Sequence, residues 1–160
     1  MVKVLFVCLG NICRSPLAEG VFKHIVTQRG LQEKIIVKSA GTSGWHLGEP
    51  PDPRSVTVAR NHGIVLDSLG RKAISEDFET YDYIIAMDKS NFNHLQNLRA
   101  TGGTAKAKLL LMRDFDEVGK GLDVPDPYYG GDDGFDKVYQ MLDRSCRKLL
   151  DEIVKQHDLK

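Results

Sequence analysis

Val2-Lys3-Val4-Leu5-Phe6-Val7-Cys8-Leu9-Gly10-Asn11-Ile12-Cys13-Arg14-Ser15-Pro16-Leu17 holds a strand, a loop and the start of a helix in one short run. Val2 to Val7 is β-branched, aromatic or otherwise apolar apart from Lys3, the composition of a strand covered on both faces. Leu9-Gly10-Asn11 breaks it. Pro16 suits the first turn of a helix, with Ser15 expected as its cap. Leu17, Val21, Phe22 and Ile25 then keep helical spacing until Arg29-Gly30 ends the helix. A buried strand feeding a helix through a tight loop is the opening of a parallel α/β sheet.

The same alternation continues outward. A second strand is expected over Lys34 to Ser39, stopping at Ala40-Gly41, and the loop from Gly41 to Pro53 is too broken for regular structure. A helix from Arg54 carries Val56, Val58 and Ala59 to an end at Asn61-His62-Gly63. Tyr83 to Met87 reads as a third buried strand ending at Asp88, and a helix from near Ser90 turns Phe92 and Leu95 inward. Ala107 to Met112 reads as the fourth strand. The stretch from Asp114 to Gly134, with Pro125, Pro127 and five glycines, is long enough in a compact domain to suggest function. The last helix shows one apolar stripe: Phe135, Val138, Leu142, Cys146, Leu149 and Ile153. The expectation is a single α/β domain over residues 1–160, a doubly wound four-stranded parallel sheet with helices on both faces. Ligands of such sheets sit beyond the carboxyl ends of the strands.

Composition narrows the function. Of 160 residues 41% are apolar and 28% charged, and 22 Lys and Arg offset 22 Asp and Glu. A net charge of zero argues against a general nucleic-acid binder, which needs a basic excess. The apolar share argues against disorder. Three cysteines are too few for a secreted disulfide framework, and an odd number fits free thiols in a reducing compartment. The run from Val4 to Leu9 is too short for a signal-peptide core, and no segment nears the roughly 18 apolar residues of a membrane span. A cytoplasmic protein without membrane insertion is expected, and any strong anion site must be local.

Cys8 to Ser15 is such a site. A glycine-containing loop entering a helix N-terminus converges its backbone N–H groups, here from Leu9, Gly10, Asn11, Ile12 and Cys13, and the helix dipole favours an anion. Cys8 stands at the mouth of the cradle, where those dipoles favour a thiolate. Arg14 adds a planar fork for two phosphate oxygens, and the Ser15 hydroxyl can donate to the Cys8 sulfur. The loop lacks the Gly-Lys-Ser/Thr of a nucleotide-binding loop. Taken alone, Cys8 reads as a buried strand-end thiol. The glycine, the arginine and the flanking elements together favour a nucleophile. Cys8 and Cys13 have the wrong spacing for a zinc knuckle, so no metal is expected. In Val124-Pro125-Asp126-Pro127-Tyr128-Tyr129-Gly130, the prolines hold Asp126 on a stiff segment from which it could protonate a leaving oxygen and then activate water. A solvated turn aspartate, beside Asp123, Asp132 and Asp133, is the equal alternative.

Cys8 to Ser15 followed by Pro16-Leu17-Ala18-Glu19, together with Asp126-Pro127-Tyr128-Tyr129, resembles the low-molecular-weight protein tyrosine phosphatase family. Ser39 to Trp45, Arg60 to Ile64 and Ala86-Met87-Asp88 extend the resemblance over essentially the whole chain. It implies Cys8 as nucleophile, Arg14 as phosphate clamp and Asp126 as general acid and base. Asn11, Ser15, Ser39 and His62 match positions that hydrogen-bond one another and fix the loop. Read alone, Ser39 and His62 are strand-end and cap residues. Asp88 matches a position near that network and competes with a helix N-cap reading. Trp45, Tyr128 and Tyr129 match aromatic walls that would select phosphotyrosine over phosphoserine; read alone, Trp45 lids the core. Relatives acting on phosphoarginine carry a small Thr where this chain has Ile12, so Ile12 fits tyrosine specificity. The implied partners are phosphotyrosine proteins and inorganic phosphate or similar oxyanions, with no cofactor, in a monomer or weak dimer.

Two other classes compete. A thiol-dependent arsenate reductase relays a disulfide through further cysteines, and beyond Cys8 and Cys13 only Cys146 remains, on an apolar stripe. A phosphocarrier should preserve its phosphocysteine, whereas Arg14 and Asp126 promote turnover. The remaining thiol, Cys13, sits where it could form a disulfide with an oxidised Cys8 and protect it from further oxidation.

Overall fold

β1 (Val2–Cys8) runs through the middle of the molecule, buried along its length apart from the half-buried Lys3. Val2, Val4, Phe6 and Cys8 face one core and Leu5 and Val7 the other, the alternation a pleated strand imposes. The computed structural model describes residues 1–100, 105–128, 130 and 132–159. Within these, β2 (Ile35–Gly41) pairs with β1 in parallel over its full length, from Val2 opposite Ile35 to Cys8 opposite Gly41. β3 (Tyr83–Ala86) lies on the other side of β1, and β4 (Lys108–Leu111) lies beyond it, giving the order β2-β1-β3-β4.

Helices α1 (Arg14–Gln28), α2 (Pro53–Asn61) and α5 (Asp132–His157) supply the first core, while α3 (Asp77–Thr80) and α4 (Lys89–Ala100) supply the second. The expected α/β architecture, a four-stranded parallel sheet with helices on both faces, is the one found. The stripe from Phe135 to Ile153 is buried throughout. The chain leaves β1 for a neighbour on one side and later crosses to a neighbour on the other. The carboxyl end of β1 is therefore the crevice where strand order reverses, and Cys8 stands there.

Local boundaries differ for physical reasons. Ser15 does not cap α1: the helix begins at Arg14 with Cys13 in the cap position and no side-chain capping bond. The Ser15 hydroxyl is turned into the loop instead. β2 continues through Ala40 and Gly41 rather than ending before them. At Gly41 a Cβ would lie 2.8 Å from the Leu9 carbonyl oxygen and 3.2 Å from Asn11 Cβ, so only glycine lets the strand run this close to the loop. α2 starts at Pro53, one residue early, because the Asp52 carboxylate accepts from Arg54 N–H at 2.8 Å. The irregular stretch after β4 is shortened at both ends, by a 3-10 turn over Met112–Phe115 and by the start of α5 at Asp132.

Candidate active site

The loop from Cys8 to Arg14 is held open by its surroundings. Thr42 N–H donates to the Cys8 carbonyl at 2.9 Å and Ser43 N–H to that of Leu9 at 3.0 Å. Asp52 N–H donates to the Ile12 carbonyl at 2.8 Å, and Ser55 Oγ to that of Cys13 at 3.2 Å. Four carbonyls are thus tied to the loop after β2, to the cap of α2 and to α2 itself. In a trans peptide the N–H points opposite to the C=O. The amides of Leu9, Gly10, Cys13 and Arg14 are therefore left facing the loop's concave side, a cradle for an anion beside the α1 N-terminus.

Cys8 Sγ sits at that cradle, 3.1 Å from Ser15 Oγ and 3.4 Å from the donating Ser15 N–H. Asn11 adopts a left-handed backbone, φ 57°, a conformation Asn tolerates better than most side chains. Its Nδ2 donates to Ser15 Oγ at 2.7 Å and to Ser39 Oγ at 3.0 Å. Its Oδ1 accepts from Arg71 N–H at 3.0 Å. The expected grouping of Asn11, Ser15 and Ser39 is present.

His62 is not part of it. Its ring stacks on Tyr139 at 3.7 Å between centroids, with the planes 10° apart, and hydrogen-bonds none of the loop residues. The outer end of the network is Glu19, which accepts from Ser39 Oγ at 2.6 Å. Sequence reading missed both Glu19 and Arg71. The quoted run Pro16-Leu17-Ala18-Glu19 contained the first, and its lone acidic residue in an otherwise apolar stretch was the available signal.

Arg14 is 2% exposed. Nη1 donates to Asp88 Oδ2 at 2.7 Å and to the Val124 carbonyl at 2.9 Å, and Nη2 lies 3.6 Å from Asp126 Oδ2. Burial lowers its pKa, but Cys8, the hydrogen bond and charge of Asp88, and Asp126 outweigh burial and raise it. Nε is buried without a hydrogen-bond partner. Asp88 reconciles its two readings. One oxygen holds Arg14, and the other accepts from Asn91 N–H at 2.7 Å in the first turn of α4.

Asp126 also serves two purposes, since Oδ1 accepts from Tyr128 N–H at 3.0 Å while Oδ2 faces Arg14. The cavity over Cys8 is lined by the loop residues Leu9, Gly10, Ile12 and Cys13 and, from outside the loop, by Trp45, His46, Asp126 and Tyr128. Trp45 stands at this rim, 72% exposed, and does not lid the core. Tyr129 lies outside the described residues. Arg54 ties the wall to the scaffold: its guanidinium bonds Asp52 at 3.0 Å and lies 5.4 Å from the Tyr128 ring centroid and 4.6 Å from that of Phe135. Cys13 is buried, and burial, with Asp52, Cys8 and Asp126 nearby, pushes its thiol up to about 12. Cys146 is fully enclosed in α5, and burial raises its thiol as well. Its sulfur lies against the Ala18 carbonyl at 4.0 Å rather than in the cavity over Cys8, which argues against a reductase relay through it.

Fold and site together define an α/β protein with a cysteine-bearing anion loop at its strand-order switch point. The family described as low molecular weight phosphotyrosine protein phosphatase matches residues 3–159, and the chain belongs to that family. The human protein of that name is 46% identical over 149 residues, 93% of this chain and 94% of its own. Among solved structures, a protein tyrosine phosphatase from Entamoeba histolytica with Hepes in the active site superposes with a TM-score of 0.92 at 41% identity, covering 98% of this chain and 99% of the other. A Drosophila arginine phosphatase superposes with a TM-score of 0.89 at 36% identity, over 95% and 98% of the two chains.

Proposed function

We propose that this protein hydrolyses phosphotyrosine, and small aryl phosphates, through a phosphocysteine intermediate. The Cys8 thiolate attacks phosphorus in line, and the sulfur–phosphorus bond forms as the bond to the phenolic oxygen breaks. Asp126 gives its proton to the departing phenolate. The loop amides and Arg14 Nε hold the equatorial oxygens. Asp126, now a carboxylate, takes a proton from water, whose oxygen displaces the Cys8 sulfur and releases inorganic phosphate. The observation that carries this reading is the set of four outward-tied carbonyls together with the partnerless Nε of Arg14, which lines the same cavity as Cys8. Such a ring of donors suits a tetrahedral oxyanion.

Phosphoarginine is the second reading, favoured by the likeness to an arginine phosphatase. Ile12, which lines the cavity, argues against it, since relatives acting on phosphoarginine carry a small Thr at that position. The test is a pair of peptides, one phosphotyrosyl and one phosphoarginyl. The wild type is expected to prefer phosphotyrosine at least tenfold in kcat/KM, a barrier difference of about 1.4 kcal/mol. Ile12→Thr should narrow or reverse that preference, and Cys8→Ser should abolish release of phenolate from p-nitrophenyl phosphate. Faster phosphoarginine hydrolysis by the wild type would overturn the tyrosine reading.

The same reading includes redox protection in a reducing cytoplasm, with no metal or cofactor. Peroxide oxidises Cys8 to a sulfenic acid; the Cys13 sulfur attacks it, the disulfide forms and water leaves.

A further inference from the structure

Glu19 is one of the buried acids that this mechanism leaves unused. Glu19 lies one turn beyond Ser15 on α1 and is 4% exposed. Its Oε1 accepts from Ser39 Oγ at 2.6 Å and its Oε2 from Lys23 Nζ at 2.6 Å. We infer that Glu19 is a positioning residue for the nucleophile, setting the proton direction along Ser39, Asn11 and Ser15 so that the Ser15 hydroxyl donates to the Cys8 sulfur. The inference rests on the reading of Cys8 as nucleophile.

The direction is determined from both ends. A backbone N–H can only donate, and that of Arg71 donates to Asn11 Oδ1 at 3.0 Å, which orients the amide. Asn11 Nδ2 must then point at the serines, and both its hydrogens are used, on Ser15 Oγ and Ser39 Oγ. A carboxylate can only accept, so the Ser39 hydrogen goes to Glu19 and leaves a lone pair for Asn11. Ser15 likewise accepts from Asn11 and keeps its one hydrogen for Cys8 Sγ at 3.1 Å or the Ala40 carbonyl at 3.3 Å. A thiolate is the stronger acceptor, and with the Ser15 N–H it receives two donors from one residue. Without an acceptor at position 19, the Ser39 hydroxyl is free to turn and Asn11 loses a fixed partner, leaving the Arg71 N–H alone to hold the amide that directs Ser15 to Cys8.

The charged and titratable groups on either side are known. Lys23, Lys38, Asp67, Arg71 and Tyr81 line the cavity on the Glu19 side, and Cys13, Arg14, His46, Asp126 and Tyr128 line the Cys8 side, with Asp88 behind Arg14. The test compares Glu19→Met, which keeps the length but removes the acceptor, with Glu19→Gln, whose carbonyl oxygen can still receive the Ser39 hydrogen. The rate of Cys8 alkylation by iodoacetamide is followed across pH, with the modified residue identified by mass spectrometry. In Glu19→Met the midpoint of that profile should rise by about one pH unit, and kcat for p-nitrophenyl phosphate should fall about tenfold with little change in KM. Glu19→Gln should recover most of both effects. Ser39→Ala alone should move the midpoint similarly, and Glu19→Met added to it should move it no further.

An unmoved profile in Glu19→Met, or an undiminished extra shift in the Ser39→Ala background, would overturn the inference. Should Glu19→Met fail to fold, an unmoved profile in Ser39→Ala does the same. Alkylation needs no turnover. A chain that ignores phosphotyrosine yet shows the Glu19-dependent profile would therefore refute the proposed activity while supporting the relay.

Discussion

Asp126 bonds the Tyr128 amide through one oxygen and faces Arg14 through the other, so replacing it tests a turn and a proton donor at once. The two roles separate along a leaving-group series. Asp126→Ala should slow aryl phosphates with poor leaving groups by roughly 10²–10⁴, the usual range for a lost general acid, and activated esters much less. An equal loss across the series would assign Asp126 to the turn alone. Cys8, Arg14 and Asp126 were legible because their chemistry is compressed into short motifs. Glu19 and Arg71 were not, because their partners Ser39 and Asn11 lie 20 and 60 residues away and only the packed fold brings them together. His62 was drawn into the network only by the family resemblance; its own reading as a cap residue is the one found, at the C-terminal cap of α2 with its ring stacked on Tyr139 of a distant helix.

Between β4 and α5 a single buried carboxylate organises the approach to Asp126. Asp116 is fully enclosed, receives Arg113 Nε at 3.0 Å and Arg144 through Nε and Nη2, each at 3.0 Å, and accepts from Val118 N–H at 3.0 Å. Arg113 also donates to the Asp123 carbonyl at 3.1 Å, three residues before Asp126. Burial raises the Asp116 pKa, but the hydrogen bonds from Arg144, Val118 and Arg113 outweigh it and hold the carboxyl below the ordinary range. Its contribution is therefore full above that range and is lost as pH falls through the depressed value. Asp116→Ala should cost about 2–4 kcal/mol in urea unfolding at neutral pH, by stranding Arg113, and the gap to wild type should close as pH drops below about 4. The anion loop carries a second pH dependence. Because the Cys13 thiol is pushed up to about 12, its reactive thiolate is scarce at neutrality. Closure of a Cys8–Cys13 disulfide after peroxide treatment should accelerate about tenfold per pH unit through neutrality, read by quenched-flow mass spectrometry. Recovery by dithiothreitol should fail in Cys13→Ser. Apolar periodicity made the main elements readable. Four-residue α3 and the early start of α2 were not, since a short turn and a carboxylate cap leave no periodic trace.

Across the whole molecule, the alternation along β1 feeds two separate cores, and the site lies where both end. That β1 is interior followed from its composition. Its neighbours did not, because an alternating strand–helix pattern fixes parallel pairing without fixing strand order. No described helix is long and apolar enough to cross a membrane. The balanced charge of 22 against 22 leaves no net charge to draw an oxyanion in, and the proposed reading assigns its capture to the loop and Arg14. One feature of the rim has an optical consequence. Trp45 is the only tryptophan in the chain and is 72% exposed beside the cavity mouth. Its indole emission should therefore be red-shifted and readily quenched by iodide in the free protein. A phosphopeptide long enough to pass the rim should shield the ring and shift the emission blue, whereas inorganic phosphate, seated below in the loop, should leave the spectrum where it was. The native fluorescence thus distinguishes a ligand that fills only the cradle from one that also touches its edge.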